Sequence, residues 1–205
     1  FSDYILVRAR GFVIRTVVAI VLLIALTGCG TTPRGINNVC TVFDQKDGWF
    51  GNWYRAAKKT EREYGVPASV LMATIRIESG FDSDARPPRK KLLGIIPWKR
   101  KSTAYGYSQA LDGTWQGYKR ETGRWRASRT DFADAIHFVG WYHYNSHRKN
   151  GIALNDAYSL YLAYYAGQAG YARGVWRGNA GMQKAARKAA TMANSYDRQM
   201  RQCGR

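Results

Sequence analysis

Apolar residues in this chain recur at helical spacing in short runs, and most runs stop at a glycine. Trp53, Ala57, Thr60 and Tyr64 share one face of a predicted helix that starts near Trp49 and stops at Gly65. Pro67, at the favoured first helical position, opens a second helix through Leu71, Ile75 and Glu78 that ends near Gly80. Asp112 can cap a short helix reaching about Glu121, and Thr130 or Asp131 a longer one carrying Phe132, Ala135, Ile136, Val139 and Tyr142. Asn155 or Asp156 begins another with Ala157, Leu160, Tyr161 and Tyr164, closed by Gly167. A last stripe runs through Met182, Ala186, Ala189, Ala193, Tyr196 and Met200. No run of alternating strand residues is sustained and no internal repeat is found, so the expected fold is mainly α.

One segment breaks this pattern. Residues 86–101 carry Pro87, Pro88 and Pro97 around an apolar centre of Leu92, Leu93, Ile95 and Ile96. Arg86, Arg89, Lys90, Lys91, Lys99, Arg100 and Lys101 bracket that centre. Prolines argue against a helix, so a projecting loop or hairpin is expected. Its charge can face carboxylates, its Trp98 can stack on a sugar or a protein, and its apolar centre packs on the domain or meets a partner in the cell envelope.

The first thirty residues read as an address rather than as fold. Arg8, Arg10 and Arg15 precede an apolar run from Val17 to Leu26, too short for a stable membrane-spanning helix and followed by small residues. Leu26-Thr27-Gly28-Cys29 resembles the bacterial lipobox. That resemblance implies a signal peptide over residues 1–28, lipid attachment at Cys29, and a tether over residues 29–48 ahead of a domain spanning residues 49–205. Gly30 after the cysteine implies sorting to an outer membrane, with the domain facing the periplasm. Cys40 and Cys203 then remain as a candidate disulfide in an oxidising compartment.

Charge narrows the partners. The chain of 205 residues holds 32 Lys and Arg against 14 Asp and Glu, a formal +18. Its leader carries only Arg8, Arg10 and Arg15 against Asp3, so the excess survives cleavage. Such a balance calls for an anionic partner: nucleic acid, anionic lipid or cell wall. The basic residues are spread along the chain and match no known nucleic-acid motif, and an exported lipoprotein rarely meets nucleic acid, so none is expected as a partner.

Glu78 is the most informative single residue. Leu71, Ile75 and Glu78 stand at i, i+4 and i+7, which places a carboxyl at the end of an apolar stripe. Apolar surroundings disfavour the anion and raise the pKa, leaving a proton to donate near neutrality. An exposed glutamate at a helix end would show the same spacing.

The neighbouring motifs separate these readings. Glu78-Ser79-Gly80-Phe81 resembles the catalytic Glu-Ser motif of SLT-type lytic transglycosylases, of the lysozyme-like (goose-type) superfamily. Lys101 to Gln109 resembles the family's second motif, usually ending Gly-Leu-Met-Gln, and Ala163-Tyr164-Tyr165-Ala166-Gly167 its Ala-Tyr-Asn-Ala-Gly motif. The resemblance covers about Trp49 to Trp176 and departs from the pattern at Tyr107-Ser108 and at Tyr165. It implies an α-rich domain that cleaves the β-1,4 bond between N-acetylmuramic acid and N-acetylglucosamine in peptidoglycan, with no cofactor. Glu78 would be acid and then base, leaving a 1,6-anhydro end without water. By the same resemblance Ser102 would orient the N-acetyl group, Gln109 would contact the saccharide, Tyr164 would hydrogen-bond near Glu78, and Tyr165 would line the substrate site. Asp82 and Asp84 leave a hydrolytic muramidase open, and the departures leave open a glycan-binding scaffold with little activity.

His143 and His147 lie at i and i+4, a spacing that can bind metal, but no glutamate stands between them and His137 does not complete a set. They are expected at the surface, with no metal.

Overall fold

A computed structural model of the chain describes residues 32–49, 51–92, 96–100 and 102–205, with the backbone alone over residues 89–92 and 96–100. The expected signal peptide and Cys29 lie outside the described residues. Residues from Thr32 to Arg205 form one compact unit. Eight helices and one pair of strands are described: α1 (Val39–Lys46), α2 (Trp53–Tyr64), α3 (Ala68–Ser79), β1 (Arg89–Leu92), β2 (Ile96–Arg100), α4 (Asp112–Thr122), α5 (Phe132–Asn150), α6 (Ala157–Ala166), α7 (Gln168–Ala172) and α8 (Ala180–Gln202). Among these residues no helix is long and apolar enough to cross a membrane.

All six expected helices appear, with α2 starting at Trp53 rather than near Trp49. The side chains of Asn52, Asp131, Asp156 and Asn179 each accept a backbone N–H of the first turn of α2, α5, α6 and α8. Gly65 and Gly80 close α2 and α3 in the left-handed region at φ 71° and 62°. Two caps differ from expectation. Pro67 precedes α3 as its N-cap, and Asp112 is the first residue of α4, turned to Arg129 at 2.8 Å.

The expected tether is the larger correction. Residues 39–46 form α1, whose Val39, Val42 and Phe43 are fully buried and whose Asn38 caps the first turn. Three apolar residues at i, i+3 and i+4 are too few to stand out in sequence, yet they suffice when another element covers them. That element is α8. Gln199 accepts the Val39 N–H at 2.8 Å, Tyr196 donates to the Ile36 carbonyl, and a disulfide joins Cys40 to Cys203.

In the basic segment, residues 89–92 and 96–100 are paired antiparallel strands, Arg89 opposite Arg100 and Leu92 opposite Ile96. Their side chains are outside the described residues. The fold is otherwise mainly helical. α3 is its centre, with Leu71, Met72 and Ile75 fully buried among α2, α5 and α8. α2 and α5 cross closely at Gly140, where a Cβ would lie 2.4 Å from Thr60 Cγ2 and 2.8 Å from Tyr64 Cδ2. Trp53 stacks on Phe132 with ring centres 3.8 Å apart, sealing the other end of that contact.

Candidate active site

The last turn of α3 carries Glu78 out of the core. The turn is held by its own residues: Ser79 Oγ donates to the Ile75 carbonyl and accepts the Phe81 N–H at 3.2 Å. Phe81, itself at φ 66°, is buried against Trp53. Anchoring on both sides fixes the direction in which the Glu78 carboxyl leaves the helix.

That carboxyl meets α6. The Tyr161 hydroxyl donates to Glu78 Oε1 at 2.7 Å. Burial pushes the Glu78 pKa up to about 7, against the smaller opposing effect of the Tyr161 hydrogen bond. No second acid contributes to the shift. Tyr161 in turn is held firmly protonated, by burial first and then by the adjacent carboxylate. The result is a half-desolvated carboxyl with one oxygen tied to a permanent donor.

The nearby acids are engaged in the following turn. Asp82 Oδ1 accepts the Asp84 N–H at 2.9 Å, and Asp84 Oδ1 accepts from the Tyr105 hydroxyl at 3.0 Å. Arg86 covers the Tyr105 ring at 3.8 Å. These contacts tie the end of α3 to the 102–110 segment without bringing a carboxylate to Glu78.

The second motif is a tight turn. Gly106 sits at φ 73° with a Cβ position only 2.2 Å from the Arg129 carbonyl, so only glycine fits there. The Gln109 side-chain amide donates to the carbonyls of Ala85 and Gly106 at 2.8 and 2.9 Å, and Gln109 itself is at φ 49°. Its NH2 therefore braces the turn. Tyr164 donates to the Ser108 carbonyl at 2.6 Å and feels the charge of Glu78, while the direct hydrogen bond to Glu78 comes from Tyr161, one turn earlier on α6. Gln109, Tyr164 and Tyr165 come together on a pocket of about 250 Å³, with Leu111, Tyr142 and Gly167. Tyr165 is 54% exposed there, available to a ligand. Glu78 does not line this pocket; the near-parallel rings of Tyr161 and Tyr164, 6.4 Å apart, connect the two places. Ser102 lines neither: it is exposed, and its Oγ accepts the Ala104 N–H at 3.4 Å.

Sequence reasoning missed two contributors. Tyr161 shares a helix face with Tyr164 and Tyr165 at i, i+3 and i+4, and that spacing was the available signal. The other is a buried polar pair one turn before Glu78, where Thr74 Oγ1 lies 3.0 Å from His143 Nε2. Thr74 donates to the Val70 carbonyl, so the Nε2–H tautomer of His143 completes the pair. Burial lowers the His143 pKa to about 3, and its ring lies 5.5 Å from that of Tyr164. The surface expectation for the histidines is corrected accordingly: His143 is fully buried and His137 is 5% exposed, because both fall on the inward face of α5. His147 is partly buried, with Nδ1 2.8 Å from the Ile152 carbonyl. Among the described residues no cluster of three or more His, Cys, Asp or Glu could hold a metal.

No curated protein matches the chain. A family model described as the transglycosylase SLT domain matches residues 17–203, nearly the whole length. With a mainly helical, lysozyme-like fold and a buried glutamate in the expected motif, the chain belongs to the SLT family of peptidoglycan lytic transglycosylases.

Proposed function

We propose that Glu78 is the single acid and base of a non-hydrolytic cleavage that leaves 1,6-anhydro-N-acetylmuramic ends. The observation that carries this reading is a buried carboxyl, near pKa 7, with a tyrosine as partner and no second carboxylate acting on it. Paired-carboxylate glycosidases need a second acid to attack or to activate water. Here protonated Glu78 gives its proton to the glycosidic oxygen as the C1–O bond breaks. Glu78, now a carboxylate, takes the proton of the C6 hydroxyl of the same sugar, and O6 bonds to C1. The proton lost in the first half is recovered in the second, and no water is consumed. Intramolecular attack supplies a high effective concentration. A pKa near neutrality suits both halves.

Tyr161 orients the carboxyl and stabilises its anionic half-reaction. Gln109 and Tyr164 act as positioning residues for the wall of the saccharide site, Tyr165 contacts sugar, and Ser102 orients the N-acetyl group when substrate fills the groove. Residues 1–28 are a lipoprotein signal, and Cys29 anchors the chain by its lipid at an outer membrane, facing the periplasm. Digestion of purified peptidoglycan tests the chemistry. Anhydro-ended muropeptides released by the wild-type chain and absent with Glu78→Gln are the expected products; reducing ends would replace this mechanism with hydrolysis.

A further inference from the structure

The outer face of α8 is strongly basic. Lys184, Arg187, Lys188, Arg198 and Arg201 are all exposed, at i, i+3, i+4, i+14 and i+17, and so share one side of the helix. The opposite side buries Ala186, Ala189, Ala193, Tyr196 and Met200. Asp197 is the only acid on α8, and it is paired with Arg201. Lys184, Arg187, Lys188 and Arg198 form no ion pair among the described residues. Between this face and the end of α3 lies a groove of about 570 Å³, where Lys184, Arg187, Lys188 and Arg76 surround apolar Ile77 and Met192. A cationic rim over an apolar floor suits an anion with hydrocarbon attached.

The chain first meets the domain at buried Pro33 and at Arg34, whose N–H and carbonyl both bond the Gln45 side chain, and then runs on to this groove. Asn37 lines it and accepts from Arg76 at 3.0 Å. Gln199 donates to the Asn37 carbonyl at 3.0 Å, Tyr196 holds the Ile36 carbonyl, and the Cys40–Cys203 disulfide locks the next turn. The N-terminal approach is thus riveted to α8. From Cys29 to Pro33 there are four peptide steps, at most about 14 Å even if fully extended.

We propose that the basic face of α8 docks on anionic phospholipid headgroups of the membrane in which Cys29 is anchored. The inference rests on the lipid-anchor reading given above. A short tether whose next few residues lie along the cationic helix brings that face within reach of the bilayer, where a negative surface potential attracts Lys and Arg within about one Debye length, ~8 Å. Docking holds the domain flat on the membrane instead of at the full reach of its tether. Stem-peptide carboxylates of the glycan share the charge but not the tether argument.

The test uses the full lipidated chain mixed with vesicles of neutral phosphatidylcholine, or of phosphatidylcholine with phosphatidylglycerol. An amine-acylating reagent reads the access of each lysine by mass spectrometry. Docking predicts that Lys184 and Lys188 acylate about fivefold more slowly on the anionic vesicles, with Lys149 unchanged, and that high salt removes the difference. Arg187→Glu with Arg198→Glu abolishes the protection while the chain still floats with both vesicles. A chain that floats with neutral vesicles yet shows equal acylation on both overturns docking and leaves the anchor standing. One that fails to float with neutral vesicles removes the anchor and the docking together. Protection by soluble muropeptides in place of vesicles reassigns the groove to the substrate.

Discussion

Two neighbouring helices end with nearly the same three residues and put them to different uses. α2 closes on Glu63-Tyr64-Gly65 and α3 on Glu78-Ser79-Gly80, each with its glycine in the left-handed region. Both glutamates sit in a last helical turn, where the helix dipole works against an anion. Glu63 has a side chain 43% exposed and lies 2.9 Å from His137 Nε2, while Tyr118 bonds the other ring nitrogen at 2.9 Å. Glu78 has no cation paired with it among the described residues; it is less exposed and is bonded to the Tyr161 hydroxyl. The local sequence sets the helix end in both places. Tertiary surroundings bury the Glu78 carboxyl and raise its pKa.

Substitution at the two glutamates should separate them most sharply. Glu78→Gln should lower the release of anhydro-muropeptides by about 10²–10⁴-fold, the range expected for loss of a general acid and base. Glu63→Gln should leave turnover within about twofold and act on the folded state alone. Equal losses at both positions would undo the contrast.

The tyrosines give the next largest effect. Tyr161→Phe should slow turnover by about tenfold. It also removes the one hydrogen bond that lowers the Glu78 pKa, so the limb at which activity falls with rising pH should move upward. Tyr118→Phe, at the His137 cluster, should leave the pH profile in place and cost stability of about 1 kcal/mol.

Stability should report the same difference with opposite sign. The folded Glu78 pKa is raised, so the folded state holds a proton that the unfolded chain has lost. Stability therefore falls as pH rises from the ordinary glutamate value of ~4.3 to about 7. Glu78→Gln escapes this penalty, and its gain over wild type should grow across that window to ~1–3 kcal/mol, read as Tm against pH. Gly140→Ala should cost a similar ~1–3 kcal/mol at every pH, because the added methyl meets Thr60 and Tyr64 side chains rather than a titrating group.

The helices with strong stripes and capping residues, α2, α3, α5, α6 and α8, were legible because periodicity and caps act locally. α1 was not, since its three apolar residues gain meaning only under α8. Glu78 could be picked out by its motif and its apolar stripe, yet the stripe alone would not distinguish it from Glu63. Tyr161 was hidden by the tyrosine beside it in the motif: Tyr164 is turned to the Ser108 carbonyl, which only the packing of α6 against the 102–110 turn determines. Buried His143 was misjudged because it occupies an inward position on a helix whose outward face also carries polar residues.

The central claim is that burial holds Glu78 near neutrality with no partner carboxylate. Isotope-edited NMR titration of the glutamate carboxyls, with Glu78→Gln used to assign the resonance, measures this directly. The account predicts a single midpoint near 7 for Glu78 that moves upward in Tyr161→Phe. A midpoint in the ordinary range of ~4.3, or two coupled steps shared with Asp82 or Asp84, would contradict it.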